Sequence, residues 1–422
     1  MIIKLRIILY LTCGFYIGFN LALIIFVNTS SNDTISSTDL SYSNIIGNTR
    51  ESSPNRNSII TYTPATVEQT IMDNLIEWGW DKASRKVQGC NIWTEEKNDE
   101  DSGASNTIMY ETLKAFRKEL KEYYNVIDTF VPVVGNIREA IIKVSTGNNN
   151  AMGTTSTSTT TTTALTQEDI CKTLRLHPDG LPGIFSASSQ LSYTSTSGYI
   201  EPLTTPMRHP DFCFDTSDKT ALMDMKYLIH DFEAMCLSLK PTSRMILIDM
   251  GASLSYHTET EVKAETPPIV HLLNLYETFG FHFDHIYGFE VTFTEPNRVF
   301  NELLPPKYMA SYHWINAGVN PTPGHALNPL DSILRKYNTD DFVVIKVDID
   351  TADIEVPLVK QLLEDESLHA SGPLVDQLYF EHHVKFKEMA PIWRSAMKGS
   401  LKDTFDLFHG LRQKGIPAHF WP

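Results

Sequence analysis

The chain has 422 residues, 42% of them hydrophobic and 20% charged, which suits one large globular domain or two smaller ones. Its formal net charge is −16. That balance argues against a nucleic-acid partner, because phosphate binding needs a basic face.

The first predicted element is a membrane anchor over residues 1–27. Lys4 and Arg6 open the chain, and the run that follows carries no charge through Val27. As a helix from Ile7 it spans roughly 30 Å, the hydrocarbon thickness of a bilayer. A cleaved signal peptide has about 7–15 apolar residues and ends in a small-residue site, and neither feature is present. The basic residues precede the span and Asp33 and Asp39 follow it. The expected topology is therefore single-pass type II, with the remainder lumenal in the endoplasmic reticulum or Golgi. Sequons at Asn28 and Asn32 fit a lumenal side. Residues 28–62, rich in Ser, Asn and Thr, read as a flexible stem.

Residues 63–240 form a mainly helical region by their apolar spacing. Val67, Ile71, Leu75, Ile76 and Trp78 mark one helix, and Ile108, Met109, Leu113, Phe116 and Leu120 a second. The Thr-rich segment 147–166 cannot bury apolar area and is expected to be a disordered loop. Leu222, Met225, Leu228, Ile229, Phe232 and Met235 predict one further helix, capped by Ser217 or Asp218. Cys90, Cys171, Cys213 and Cys236 allow three pairings in an oxidising compartment, all confined to this half.

After Pro241 the rhythm changes. "RMILIDMGAS", "HIYGFEVT", "YHWINAGV", "DFVVIKVDID", "LVDQLYFEHHV" and "IPAHFW" read as strands. "PIVHLLNLYETFG", "IEVPLVKQLLEDE" and "SLKDTFDLFHGLRQKG" read as helices among them. Apolar strands alternating with helices predict an α/β domain over 241–422, a parallel Rossmann-like sheet covered on both faces. Acids and histidines fall at the carboxyl ends of those strands, where such sheets bind ligands.

Over roughly residues 240–400, "LIDMGAS", "YGFEVT", "NPLDSILRKYNTDDFVVIKVDIDTADIE" and "LYFEHH" resemble the FkbM-type S-adenosylmethionine-dependent methyltransferases. The family pattern is an Asp-x-Gly-Ala turn, an acid ending the second strand, a Leu-Asp before a helix, and a Lys-x-Asp-x-Glu-Gly-Ala-Glu segment. The resemblance implies a class I methyltransferase sheet and S-adenosylmethionine as cofactor. It assigns cofactor binding to Asp249, Gly251, Ala252, Ser253, Glu290 and Asp331. The chain departs at Asp350 and Asp353, which replace Glu, and at Thr351, which replaces Gly. The turn continues Ser253-Leu254-Ser255 where the family has Asn-x-Gly.

The chemistry gives each residue a role. Glu290 is placed to accept both ribose hydroxyls. Gly251 lets the backbone approach the cofactor, and Asp249 receives its amino group. Asp348, Asp350, His382 and His383 are the candidate catalytic residues. Either histidine, oriented by Asp348 or Asp350, suits a general base for a substrate hydroxyl. Strand alternation turns Glu381 and His383 one way and His382 the other. Asp348, Asp350 and His383 would also suit a divalent ion. Asp353 and Glu355 are expected to serve the N-terminus of the following helix, with Pro357 in its first turn. The expected function is O-methylation of a glycan or secreted small molecule. The rivals are a lumenal glycosyltransferase with an Asp-x-Asp metal site and a non-catalytic binding protein that keeps the fold.

Overall fold

The computed structural model describes residues 62–94, 104–147, 165–254 and 267–422, apart from 187–188, 195–196, 216 and 218–221. The expected anchor and its sequons, the stem up to residue 61 and most of the Thr-rich loop lie outside the described residues. Among the described residues no helix is long and apolar enough to cross a membrane.

The N-terminal region contains the two expected helices, Thr66–Asn74 and Ala104–Thr129. It also carries a small antiparallel sheet of β1 (Tyr62–Thr63), β2 (Ser192–Thr194) and β3 (Gly198–Ile200). The helix expected from Leu222 is broken. A short 3-10 turn covers Met225–Tyr227 and a separate helix covers Phe232–Ser238. Between them Leu228 is extended, with φ −79° and ψ 127°. The reason lies in where the backbone donors go. Ile229 N–H donates to Glu201 Oε2 at 2.8 Å and His230 N–H to Tyr123 Oη at 3.0 Å. Both are buried, and these side chains replace the helix carbonyls they would otherwise need. The cap is Asp231, whose Oδ1 accepts from Ala234 N–H at 3.1 Å. The cysteines pair as Cys90–Cys213 and Cys171–Cys236.

The main sheet has six parallel strands, β4 (Met245–Met250), β5 (His285–Phe289), β6 (Tyr312–Ile315), β7 (Phe342–Val347), β8 (Gln377–Phe380) and β9 (Ala418–Phe420). Their order is β6-β5-β4-β7-β8-β9. Counted within the sheet this is the doubly wound order, which reverses between β4 and β7. Both of those strands are buried along their whole length. That explains runs such as "FVVIKV" without polar alternation. Helices Pro268–Thr278, Ala352–Glu364 and Leu401–Gln413 make crossovers. The last has a capping box, in which Ser400 and Asp403 satisfy each other's backbone N–H. Pro357 is inside its helix, not in the first turn as expected, because the helix begins at Ala352. Its missing N–H leaves Asp353 C=O without that helical bond.

Residues on both sides of position 241 belong to one compact unit. A buried ionic cluster joins them. Arg412, fully buried on the last helix, lies 3.4 Å from Glu68 and 3.4 Å from Glu201. A buried guanidinium needs such partners, and both carboxylates come from the N-terminal region.

Candidate functional site

Beyond the carboxyl ends of β4, β5 and β7 lies a cleft of about 390 Å³. It sits at the strand-order reversal, where open α/β sheets bind ligands. Its lining includes Gly251, Ser253, Glu290, Lys346, Asp348 and Asp350. Three segments far apart in sequence, at the ends of β4, β5 and β7, therefore meet there.

The turn after β4 is shaped by β7. Gly251 has φ +88°, and a Cβ there would stand 1.6 Å from the carbonyl oxygen of Asp348. The glycine is required by a neighbouring strand end before any cofactor is considered. Ala252 is buried and packs towards Gly288. Ser253 lines the cleft. Asp249 is completely buried and does not line it. Its Oδ1 accepts from Lys346 Nζ at 3.0 Å, and the same ammonium reaches Gly251 O at 2.9 Å and Asp348 Oδ2 at 3.2 Å. Burial pushes Asp249 up, and Lys346 opposes it. Burial alone would lower Lys346, but Asp249 and Asp348 outweigh it and hold the ammonium charged. A lysine near the carboxyl end of a buried strand thus ties two candidate acids together.

Glu290 follows β5 and lines the cleft, with Oε1 accepting from Thr292 N–H at 2.6 Å. Trp314, on β6, also lines it, and its indole N–H has no hydrogen-bond partner. Asp331 is not part of the cleft. It accepts from Gly324 N–H at 2.6 Å and pairs with Arg335 at 2.8 Å, so its role is to hold its own loop.

The two expected catalytic acids part company. Asp348 turns to Lys346 and to Trp421, whose indole N–H reaches its Oδ2 at 3.0 Å. Burial pushes its carboxyl above the usual range, against the pull of Lys346 and with the help of Glu381 and Asp350. Asp350 has φ +59°, a left-handed conformation that Asp tolerates better than most residues. Its exposed side chain lines the cleft and places Oδ1 at 3.3 Å from His383 Nε2.

The histidines also separate, as strand alternation predicts. His382 leaves the site. It hydrogen-bonds Thr404 Oγ1 at 3.0 Å, stacks on Phe380, and is pushed down to about 3, first by burial and then by His383. His383 is fully buried among three carboxylates, 3.2 Å from Glu381, 3.3 Å from Asp350 and 3.4 Å from Glu355. Burial alone would lower it, but the three acids push it up to about 12. Neither histidine lines the cleft, so neither stands where the general base expected from the sequence would meet a substrate there.

No family model, curated protein or solved structure matches the chain. The site's chemistry therefore rests on its geometry.

Glu355, Arg208, Trp393 and Lys346 complete the site, and sequence reasoning assigned none of them that role. Glu355 is fully buried, accepts Ile349 N–H at 2.7 Å through Oε1 and faces His383 Nδ1 through Oε2. It serves the histidine rather than the helix dipole. Asp353, in contrast, is exposed and pairs with Lys398. Arg208, from the N-terminal region, bonds Glu381 Oε1, and Trp393 donates to the same oxygen at 3.0 Å. Burial alone would raise Glu381, but Arg208 and His383 outweigh it and keep it ionised. Lys346 and Glu355 had a sequence signal, a charge inside an apolar run and an acid at a helical core position. Arg208 had none.

Proposed function

We propose that the protein is an S-adenosylmethionine-dependent methyltransferase acting on a hydroxyl of a glycan or small molecule. The observation that carries this reading is Glu290. It stands at the end of the second strand of a doubly wound sheet and lines one cleft with the Gly251 turn, Asp348 and Asp350.

The charge of the cleft supports the ligand class. Glu290, Asp348 and Asp350 line it, and Lys346 is already engaged by Asp249, Asp348 and Gly251 O. Ribose hydroxyls, an ammonium and a sulfonium suit such a surface, and a diphosphate without a metal ion does not. The helix after the turn reaches the cleft through Pro267, Pro268 and Ile269, and the two prolines have no N–H to offer a phosphate. The Gly-x-Gly-x-x-Gly fingerprint of a dinucleotide site is also missing after Gly251. These points weigh against the glycosyltransferase reading, as does the separation of Asp348 from Asp350.

The cofactor, when bound, supplies a methyl group on a positive sulfur. Glu290 accepts hydrogen bonds from the ribose hydroxyls. Asp350 orients the acceptor hydroxyl, and the Asp348 carboxylate, made more basic by burial, takes the proton the hydroxyl gives up as it is alkylated.

Titrating the purified full-length chain with adenosylhomocysteine tests this. Binding is expected, and Glu290→Ala should weaken it by about 2–3 kcal/mol as charge-assisted hydrogen bonds are lost. The melting temperature of the free protein should hardly change. A folded protein that ignores adenosylhomocysteine but binds UDP with manganese would replace this reading with the glycosyltransferase.

A further inference from the structure

We propose that Asp350, Glu381 and His383 bind a divalent metal ion of the manganese, zinc or ferrous class, with its open coordination positions facing the cleft. One ligand atom from each residue lies within 4.8 Å of the others. Clusters of acids are common without an ion, so the orientation of His383 decides the matter.

His383 Nδ1 is directed at Glu355 Oε2. A carboxylate on one ring nitrogen fixes the tautomer and ring plane and turns the other nitrogen to a metal. The other nitrogen, Nε2, is wholly buried, aimed between Asp350 and Glu381, and has no hydrogen bond. It is nevertheless 3.2 Å from Glu381 Oε2 and 3.3 Å from Asp350 Oδ1. Both separations are those of close ion-pair contacts, yet neither completes a hydrogen bond to Nε2. The separations fit shared ligation. Two donors about 2.1 Å from one ion, at an angle of about 90–110°, stand about 3.0–3.4 Å apart. The ion would take the place of the Nε2 proton.

The surroundings leave the right atoms available. Glu381 Oε1 is occupied by Arg208 and Trp393, which leaves Oε2 on the His383 side. Asp348 faces Lys346 and Trp421, so it is not a ligand. Carboxylate and imidazole donors suit manganese, zinc or iron. Three protein ligands leave positions open, and Asp350 is the ligand on the cleft wall. If the methyl-transfer reading holds, the open positions take the acceptor oxygen, and the positive ion eases loss of its proton. The metal site itself does not depend on that reading.

The test is manganese binding to the full-length chain after chelator treatment, followed by loss of the free-ion paramagnetic resonance signal. One site is expected, displaced by zinc. His383→Gln and Glu381→Gln should each weaken it at least tenfold. Asp350→Asn, an exposed change that should not affect folding, should weaken it several-fold. Asp353→Asn, on the nearby exposed helix end, should leave it unchanged. Adenosylhomocysteine binding is measured on every sample. Failure of the folded wild type to bind manganese while it still binds adenosylhomocysteine would overturn the metal site and spare the methyltransferase. Manganese bound with undiminished affinity by Asp350→Asn and His383→Gln would overturn it too.

Discussion

At the scale of single residues, the site turns on groups whose roles are set by what touches them. Gly251 is the clearest case. Its φ of +88° and the carbonyl of Asp348, 1.6 Å from where a Cβ would be, leave no room for any other residue. Gly251→Ala should destabilise the protein by at least about 2 kcal/mol, from the left-handed backbone and the displaced strand end together. Denaturant unfolding measures this. A variant of unchanged stability that loses adenosylhomocysteine would return the glycine to a purely cofactor role.

At the scale of elements, the helix Ala352–Glu364 carries two acids in its first turn with opposite duties. Asp353 is exposed and pairs with Lys398. Asp353→Asn should cost less than about 1 kcal/mol, the range of an acid at a helix N-terminus. Glu355 is buried and satisfies both Ile349 N–H and His383. Glu355→Ala should cost about 3 kcal/mol, because it strands a buried donor and a buried imidazole. Thermal melts of the two variants side by side check the contrast, and equal costs would show that both acids serve the helix dipole. In sequence the two acids look alike, since both fall at a helix start. Only the packing of β8 behind that helix brings His383 to one and not the other.

At the scale of the molecule, the N-terminal region and the sheet share a buried polar interior that depends on pH. His230 Nε2 meets Tyr379 Oη at 2.6 Å, and its ring stacks on Phe232 and His419. Burial, and then the nearby His419, hold it well below the ordinary histidine value. The unfolded chain accepts a proton near pH 6.5 that the folded chain refuses. The resulting stability is present above about pH 6.5 and falls as pH drops below it, by up to about 1.4 kcal/mol per pH unit for one proton. In melts between pH 8 and pH 5, His230→Gln should lose less stability than the parent chain by about one proton's share, because His382 adds a decline of the same sign and His383 one of the opposite sign in both. An equal slope in the variant would assign the decline to other groups.

The sequence by itself determined the six parallel strands, their crossover helices and the crevice at their carboxyl ends. Each is a local pattern. "FVVIKV" has no polar alternation because both faces of β7 are covered, and strand parity already separates His382 from His383. Period and parity are properties of neighbours in the chain, so they can be read along it. Tertiary structure alone decided which acids face one another. Asp348 belongs with Lys346 and Trp421, Asp350 with His383, and Glu381 with an arginine 173 positions earlier. It also decided that Leu228 is extended, because the acceptors for the next two N–H groups come from Glu201 and Tyr123. A side chain's charge state and its partner depend on groups brought near by folding, and no spacing along the chain encodes that meeting.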